Sequence, residues 1–526
     1  MGPDQRDTSR HGKEHLSGLR RRTFLEACAG AGLASATAAA CTPSSPEHDA
    51  ARAAASHRPE TERNLPGTPD WRIRSRGPDT AVIGYADRVS VAPGEDVGLH
   101  VSTTAPSFHV SALRVGWYGG AEARLVWSSE RLRGRVQPAP GFLPETRTVR
   151  AQWPRTTQFS TAGWPEGAYL LRLDTEDGYQ RYIPLIVRST QAAGRTVLMH
   201  APATWQAYNR WGGYSLYAGP SGAYAARSLA VSFDRPYDSD GAEKFMVYER
   251  AAVVLAERLG IPLAYTTGMD VHRDPKVLHG ASAVICLGHD EYWTPQQRQH
   301  VTEARDAGTN VAFLGANTCF RRVRLEQDGT GPDRTVVCYK SSYRADPCHT
   351  TQPALVTTDF RQSPAADPES SLTGVLYEGY PTDAPYVVHA ADHWLYEGTG
   401  ARPGEGFDHL VGVEYDRVTQ GAPAPDPLEI TAHSPLMCNG RRSHADSAYY
   451  TIPSGAGVFA TGTMRWVEGL MAGTPDGGRD HGMDARTRAF VTRTTENLLH
   501  AFAEGPAARH RPAPRPNVTE VYKTEA

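Results

Sequence analysis

The stretch "AVICLGHDEYWTPQQRQHVTEARDAGTNVAFLGANTCF", Ala283 to Phe320, decides the fold. Five apolar residues, Ala283 to Leu287, read as a buried strand. They run straight into His289, Asp290 and Glu291. A helix follows, with Thr294 as cap, Pro295 at its first position, Gln297 three residues past the cap and Gly308 as its stop. "NVAFLG" is then a second buried strand, ending at Asn317. Buried strands alternating with helices predict a parallel α/β sheet.

The pattern extends outward from that core. "RTVLMHAP" and "IPLAYTT" are continuous apolar strands. "KFMVYERAAVVLAERLG" is helical, with Phe245, Val247, Ala251, Val254 and Leu255 on one face and Gly260 as its stop. A last helix is expected around Arg488 to Phe502. The α/β domain therefore spans 195–504, and the Pro-rich tail 505–526 is expected to be flexible. Upstream, 69–190 holds short alternating runs such as "SALRVGWYGG" and "GAYLLRLDT", punctuated by Gly, Pro and Asp. That reads as an antiparallel, Ig-like β-sandwich, with a hairpin turning at Glu176-Asp177-Gly178.

A chain of 526 residues is long enough for two domains. Its 40% hydrophobic and 21% charged residues describe a globular protein. The formal net charge is −3 and Lys and Arg form no dense patch, so no nucleic-acid partner is expected. At the N-terminus, Arg21-Arg22 precede Phe24-Leu25 and a short Ala- and Gly-rich apolar run that ends at "AAAC", Ala38 to Cys41. Residues 1–41 are read as a twin-arginine signal with a lipobox-like end, and Cys41 as a lipidation site. That reading places the protein outside the cytoplasmic membrane, lipid-anchored or secreted, with 42–68 as a disordered tether. Cys286 and Cys319 sit in apolar contexts and read as core residues, while Cys338 and Cys348 flank a polar loop that a disulfide could close.

Strand ends in open α/β sheets are where ligands bind. His289 and Glu291 lie at one such end, Asn317 at the next, and the first strand runs into "APATWQAYNRWGGYSLYAG". Residues two apart in extended chain point the same way, so His289 and Glu291 share a side. Taken singly each has an ordinary account: Glu291 beside a helix N-terminus, Tyr208 and Tyr217 as core aromatics, Asn317 in a turn, Glu414 paired with Arg417. Asp392-His393-Trp394 could line the same pocket. Trp117 and Tyr118 read as sandwich core, and Trp466 closes a strand-end motif.

Five motifs together carry a resemblance: "TWQAYNRWGGYSLY", "GHDEYW", "FLGANTCF", "VGVEYDRV" and "GAGVFATGTMRW". The chain resembles the N,N-dimethylformamidase beta (large) subunit family, over roughly Arg195 to Phe502. The resemblance implies a glutamine-amidotransferase-like (flavodoxin-like) scaffold. It also implies an amidohydrolase with a mononuclear ferric ion held by two tyrosinates and one glutamate. On this sequence the implied ligands are Tyr208, Tyr217 and Glu291, with Tyr214 the alternative to Tyr217. The implied catalytic residues are His289, Glu414 and Asn317. Phenolate and carboxylate are hard oxygen donors suited to a hard cation. The expected substrate is a small-molecule or peptide amide. Zinc, or no metal, remain alternatives to iron, and oligomerisation stays open. The rival is a non-catalytic cell-surface protein that binds a glycan or peptide.

Overall fold

The computed structural model describes residues 62–474 and 481–523. The signal, Cys41 and most of the tether lie outside the described residues. At the centre is a seven-stranded sheet: β1 Thr196–His200, β2 Leu263–Thr267, β3 Ala283–Cys286, β4 Asn310–Phe313, β5 Leu428–Cys438, β6 Arg441–Thr451 and β7 Gly457–Ala460. The order across it is β2-β1-β3-β4-β7-β6-β5.

This corrects the expected parallel, flavodoxin-like α/β fold. Strand outweighs helix, and the sheets are antiparallel or mixed. In the central sheet β6 runs antiparallel to both β7 and β5. Long hairpins also follow Phe320 in place of further strand–helix units: Arg324–Asp328 with Gly331–Val337, and Leu376–Val387 with Gly406–Arg417. The physical reason at β5–β6 is the turn Asn439-Gly440, with φ of 50° and 74°. Asn-Gly supplies the two left-handed residues of a tight hairpin, which closes an antiparallel pair without a helix.

Upstream, two sheets face each other. One joins Val82–Ala86, Asp96–Thr103 and Thr157–Ser160. The other is built on Ser107–Val115, Gly167–Thr175 and Gln180–Val187. Val97, Leu99 and Val101 from the first meet Phe108, Val110, Leu171, Leu173 and Leu185 from the second. The turn between the last two strands falls at Gly178, φ 84°. The opposite face of the larger sheet is also apolar. Leu113, Leu170 and Ile186 share one core with Leu198, Val253, Leu263 and Tyr265. Arg114 and Glu257, both buried, bridge this seam at 2.5 Å.

Six helices matter here: α1 Pro202–Tyr208, α2 Glu243–Tyr248, α3 Arg250–Leu259, α4 Pro295–Asp306, α5 Ala485–Ala503 and α6 Val518–Lys523. Thr294 caps α4, its Oγ1 accepting from Gln297 N at 3.0 Å. The single helix expected over 244–260 is two, broken at Glu249, whose backbone leaves the helical region. The break turns the Glu249 carboxylate to His200 Nδ1 at 2.5 Å and Trp205 Nε1 at 2.7 Å.

The tail after Gly505 is not loose. Asn310 Oδ1 accepts from Ala507 N at 2.9 Å, and Asn517 pairs both ways with the Ile430 backbone at 2.8 and 2.9 Å. Val521 is buried in the core beneath β5 and β6. Cys338 and Cys348 are free thiols, so the disulfide that could have joined them is not formed. Cys286 and Cys319 are buried core residues. Among the described residues no helix is long and apolar enough to cross a membrane.

Candidate active site

The strands β3 and β4 end side by side, and two glycines let their following loops touch. A Cβ on Gly288 would sit 2.2 Å from the Tyr248 carbonyl oxygen. One on Gly315 would sit 2.4 Å from the Gly288 carbonyl oxygen. Real side chains do not approach that closely, so both positions need glycine for backbone contact. Beyond them the loops zip together: Cys319 N donates to Asp290 O at 2.9 Å, and Arg321 N to Glu291 O at 2.8 Å. Asn317, at φ 59°, adopts the left-handed conformation that asparagine tolerates.

This framework brings six of the sequence-predicted residues together. Tyr208, closing α1, donates from Oη to Glu291 Oε2 at 2.7 Å. Tyr217 Oη lies 2.6 and 2.7 Å from the two Glu291 oxygens and 3.0 Å from Tyr208 Oη. The two phenol rings stack at 4.5 Å. His289 Nε2 stands 3.6 Å from Glu291 Oε2 and 3.7 Å from Glu414 Oε2. Glu414, reaching in from the strand Gly406–Arg417, accepts from Asn317 Nδ2 at 2.7 Å. Arg417, its expected partner, lies over Tyr522 instead.

Other expected residues fall elsewhere. Tyr214 packs against Phe142, ring centres 5.1 Å apart and tilted by 36°, and its carbonyl accepts from Arg235, so it is not in the cluster. Asp290 Oδ1 meets Thr204 Oγ1 at 3.4 Å, and burial holds this carboxyl well above the usual range. His393 caps a short helix through Leu395 N, and Asp392 pairs with Arg515. Trp466 is buried, donating to Thr495 Oγ1 at 3.0 Å. Tyr118 is buried beside Arg114, and Trp117 is half-buried at the edge of the same core.

Two cations were not singled out in the sequence. Arg321 Nε donates to Glu291 Oε1 at 3.2 Å, while its Nη1 meets Asp359. Lys340 is fully buried, its Nζ 3.2 Å above the Tyr217 ring and without a hydrogen-bond partner among the described residues. Burial pulls its ammonium down to about 7. Neither residue belongs to a motif: Arg321 follows the "FLGANTCF" run, and Lys340 opens the short helix Lys340–Ala345, three residues past the strand Gly331–Val337. The one signal is a lysine placed directly after the apolar "TVVCY".

The electrostatics follow from this packing. Burial works against the Glu291 carboxylate, but His289, Lys340 and Arg321 outweigh it and keep it ionised. Burial, with Glu291 nearby, pushes Glu414 upward. The two carboxyls are thus driven apart in acidity, the arrangement that lets one stay anionic while the other carries protons. Burial and then Glu291 also raise both phenols well above their ordinary value.

The donor set fits a hard cation: two phenol oxygens and one carboxylate converge within 3.0 Å of one another. Beside them the buried His289 Nε2 and Asn317 Oδ1 have no hydrogen-bond partner among the described residues. Buried polar atoms without partners mark a site built for something further.

The family described as N,N-dimethylformamidase beta subunit-like, C-terminal, matches residues 109–480. The match begins inside the strand Ser107–Val115, so it takes in much of the sandwich as well as most of the stretch from Arg195 to Phe502. No curated protein matches. Among solved structures, a Paenibacillus sp. cycloisomaltooligosaccharide glucanotransferase complexed with cycloisomaltoheptaose is 10% identical, at a TM-score of 0.14. It covers 46% of this chain, which spans 28% of that one, and a likeness so slight bears on neither fold nor function.

Proposed function

We propose, from the premise that this chain belongs to the N,N-dimethylformamidase beta subunit-like family, that it hydrolyses a C–N amide bond at the Tyr208–Tyr217–Glu291 cluster. The observation that supports this reading is the convergence of those three oxygen ligands beside His289, Glu414 and Asn317. Tyr208, Tyr217 and Glu291 are the residues that would hold a ferric ion, whose contribution is Lewis acidity toward the amide carbonyl. Tyr214 is set aside as a ligand because it faces Phe142.

The chain's own groups do the proton work. Glu414, raised by burial, takes a proton from the attacking water and returns it to the departing amine nitrogen. Asn317 Nδ2 holds Glu414 Oε2 at 2.7 Å and fixes its direction. His289 Nε2, free of a hydrogen bond, donates to the oxygen on which charge develops. Away from the Glu291 and Glu414 carboxylates, the remaining side of His289 is apolar and aromatic: Tyr248 stands 5.4 Å from its ring and clusters with Val247, Ala316 and Met464. That surrounding favours a small amide with little charge.

The same reading takes the protein as exported through Arg21-Arg22 and anchored through lipid on Cys41. The chain from Cys41 onward, with Cys41→Ser, tests the site. Expected are iron in equal stoichiometry with the chain and a tyrosinate-to-iron colour that Tyr208→Phe and Glu291→Ala both reduce. Amide turnover should fall in the same variants. An iron-free protein after growth with iron, indistinguishable from both variants, would remove the iron hydrolase.

A further inference from the structure

The sandwich carries a hollow of about 480 Å³ lined by Arg133, Gly134, Arg135, Gln137, Arg155 and Thr156. None of these residues belongs to the tyrosine–glutamate cluster. Arg133 ends the short strand Leu132–Arg133, and Arg155 and Thr156 lead into Thr157–Ser160. A second hollow, also of about 480 Å³, adjoins it and shares Arg155.

The two hollows treat their arginines differently. In the second, Arg150 faces Asp328 at 3.2 Å, and Arg334 is held by Asp234 at 2.5 Å. In the first, no carboxylate among the described residues lies within ion-pairing reach of Arg133, Arg135 or Arg155, and no acidic residue lines the wall. Three guanidinium groups on exposed residues, of which only Arg155 has a carboxylate, Asp87, in its neighbourhood, put like charge around one hollow and favour an anion between them. Their planar forks match a carboxylate through paired hydrogen bonds.

The floor asks for a second kind of group. Gln137 is only 8% exposed. Its Nε2 donates to Val101 O at 3.1 Å, Pro154 O at 3.3 Å and Thr156 Oγ1 at 3.3 Å. Its Oε1 is buried with no donor among the described residues. A carboxylate alone offers acceptors only and leaves that oxygen unpaired, whereas a hydroxyl supplies the missing proton. The hollow's volume lies in the range of small-molecule sites, and its continuation past Arg155 gives room for more than one ring.

We propose that this hollow binds an acidic carbohydrate, a uronic-acid oligosaccharide, with carboxylates on Arg133, Arg135 and Arg155 and a sugar hydroxyl on Gln137. The site is independent of the amide-hydrolysing reading. Titration calorimetry on the Cys41→Ser chain tests it with three probes: tetragalacturonate, neutral maltotetraose and inorganic phosphate. Tetragalacturonate should bind at least tenfold tighter than either of the others, and more weakly as salt rises. Arg155→Ala, and Arg133→Ala with Arg135→Ala, should each weaken it at least tenfold at unchanged melting temperature. Arg155→Lys, which keeps the charge but loses the fork, should fall between. Equal binding of maltotetraose, phosphate binding as tight as tetragalacturonate, arginine variants without effect, or no heat from tetragalacturonate would each overturn the proposal.

Discussion

Glu414 reaches the cluster from a strand that lies outside the central sheet, and one amide, Asn317, holds it there. Its carboxylate also faces His289 Nε2 at 3.7 Å, so the replacement that disturbs least is the isosteric amide. Glu414→Gln keeps the shape and a hydrogen-bonding oxygen but cannot carry a proton. It should lower kcat about 10²–10⁴-fold, the usual worth of a positioned acid–base group, with KM and melting temperature close to the parent. Steady-state kinetics beside a thermal melt check this. A loss confined to KM would make Glu414 a binding group. The acidity of Glu414 also sets the pH profile. Burial raises its pKa, so the basic form appears only above the ordinary carboxylate range, and kcat should rise with pH along that limb.

At the scale of elements, β1 to β4 and α4 were legible because apolar runs and caps leave periodic marks. Thr294, Pro295 and Gly308 bracket α4 in the sequence as they do in space. The motif residues His289, Glu291 and Asn317 followed from those strand ends. The hairpins after Phe320 were not foreseen, although "CNGR" carries a strong short turn signal. The strands flanking it, "LEITAHSPLMC" and "RRSHADSAYYT", mix polar and apolar residues because parts of both faces are buried, which blurs a period of two. Replacing Asn439-Gly440 with Ala-Ala forces two ordinary residues to positive φ at about 1–2 kcal/mol each. The denaturant midpoint should fall accordingly. Arg321 and Lys340 escaped notice for a different reason: a cation in an unremarkable segment acquires meaning only when folding sets it against Tyr217 and Glu291.

For the whole molecule, the seam between sandwich and central sheet rests on Arg114 and Glu257. Both are buried, and Arg114 also meets Tyr118 Oη at 2.9 Å. Removing one partner strands the other's charge, so Arg114→Leu should cost about 3–5 kcal/mol in chemical denaturation. Adding Glu257→Leu should recover part of that loss, and a double variant no better than the single one would contradict the account.

Asp416 adds a global pH dependence. Burial pushes its carboxyl up to about 8, while in the unfolded chain it titrates near about 4. Between those values the folded state holds a proton that the unfolded state has released. Its contribution therefore lowers stability as pH rises across that window and levels off above it. Asp416→Asn, which keeps an acceptor for Asn317 N, should flatten this slope in melts recorded from pH 4 to 9.

The strand order of the central sheet also governs when the protein can finish folding. β4 pairs with β3 on one side and β7 on the other, yet everything from Leu314 to Ala456 is made between β4 and β7. A growing polypeptide on the ribosome must hold β4 with a bare, hydrogen-bonding edge through all of that synthesis. Asn310, which opens β4, then waits longer still, for the Gly457 and Ala507 amides that its side chain accepts. Half a sheet with an open apolar edge invites pairing with other nascent chains. Synthesis through Ala507, not emergence of the N-terminal half, is what lets the central sheet close around Asn310.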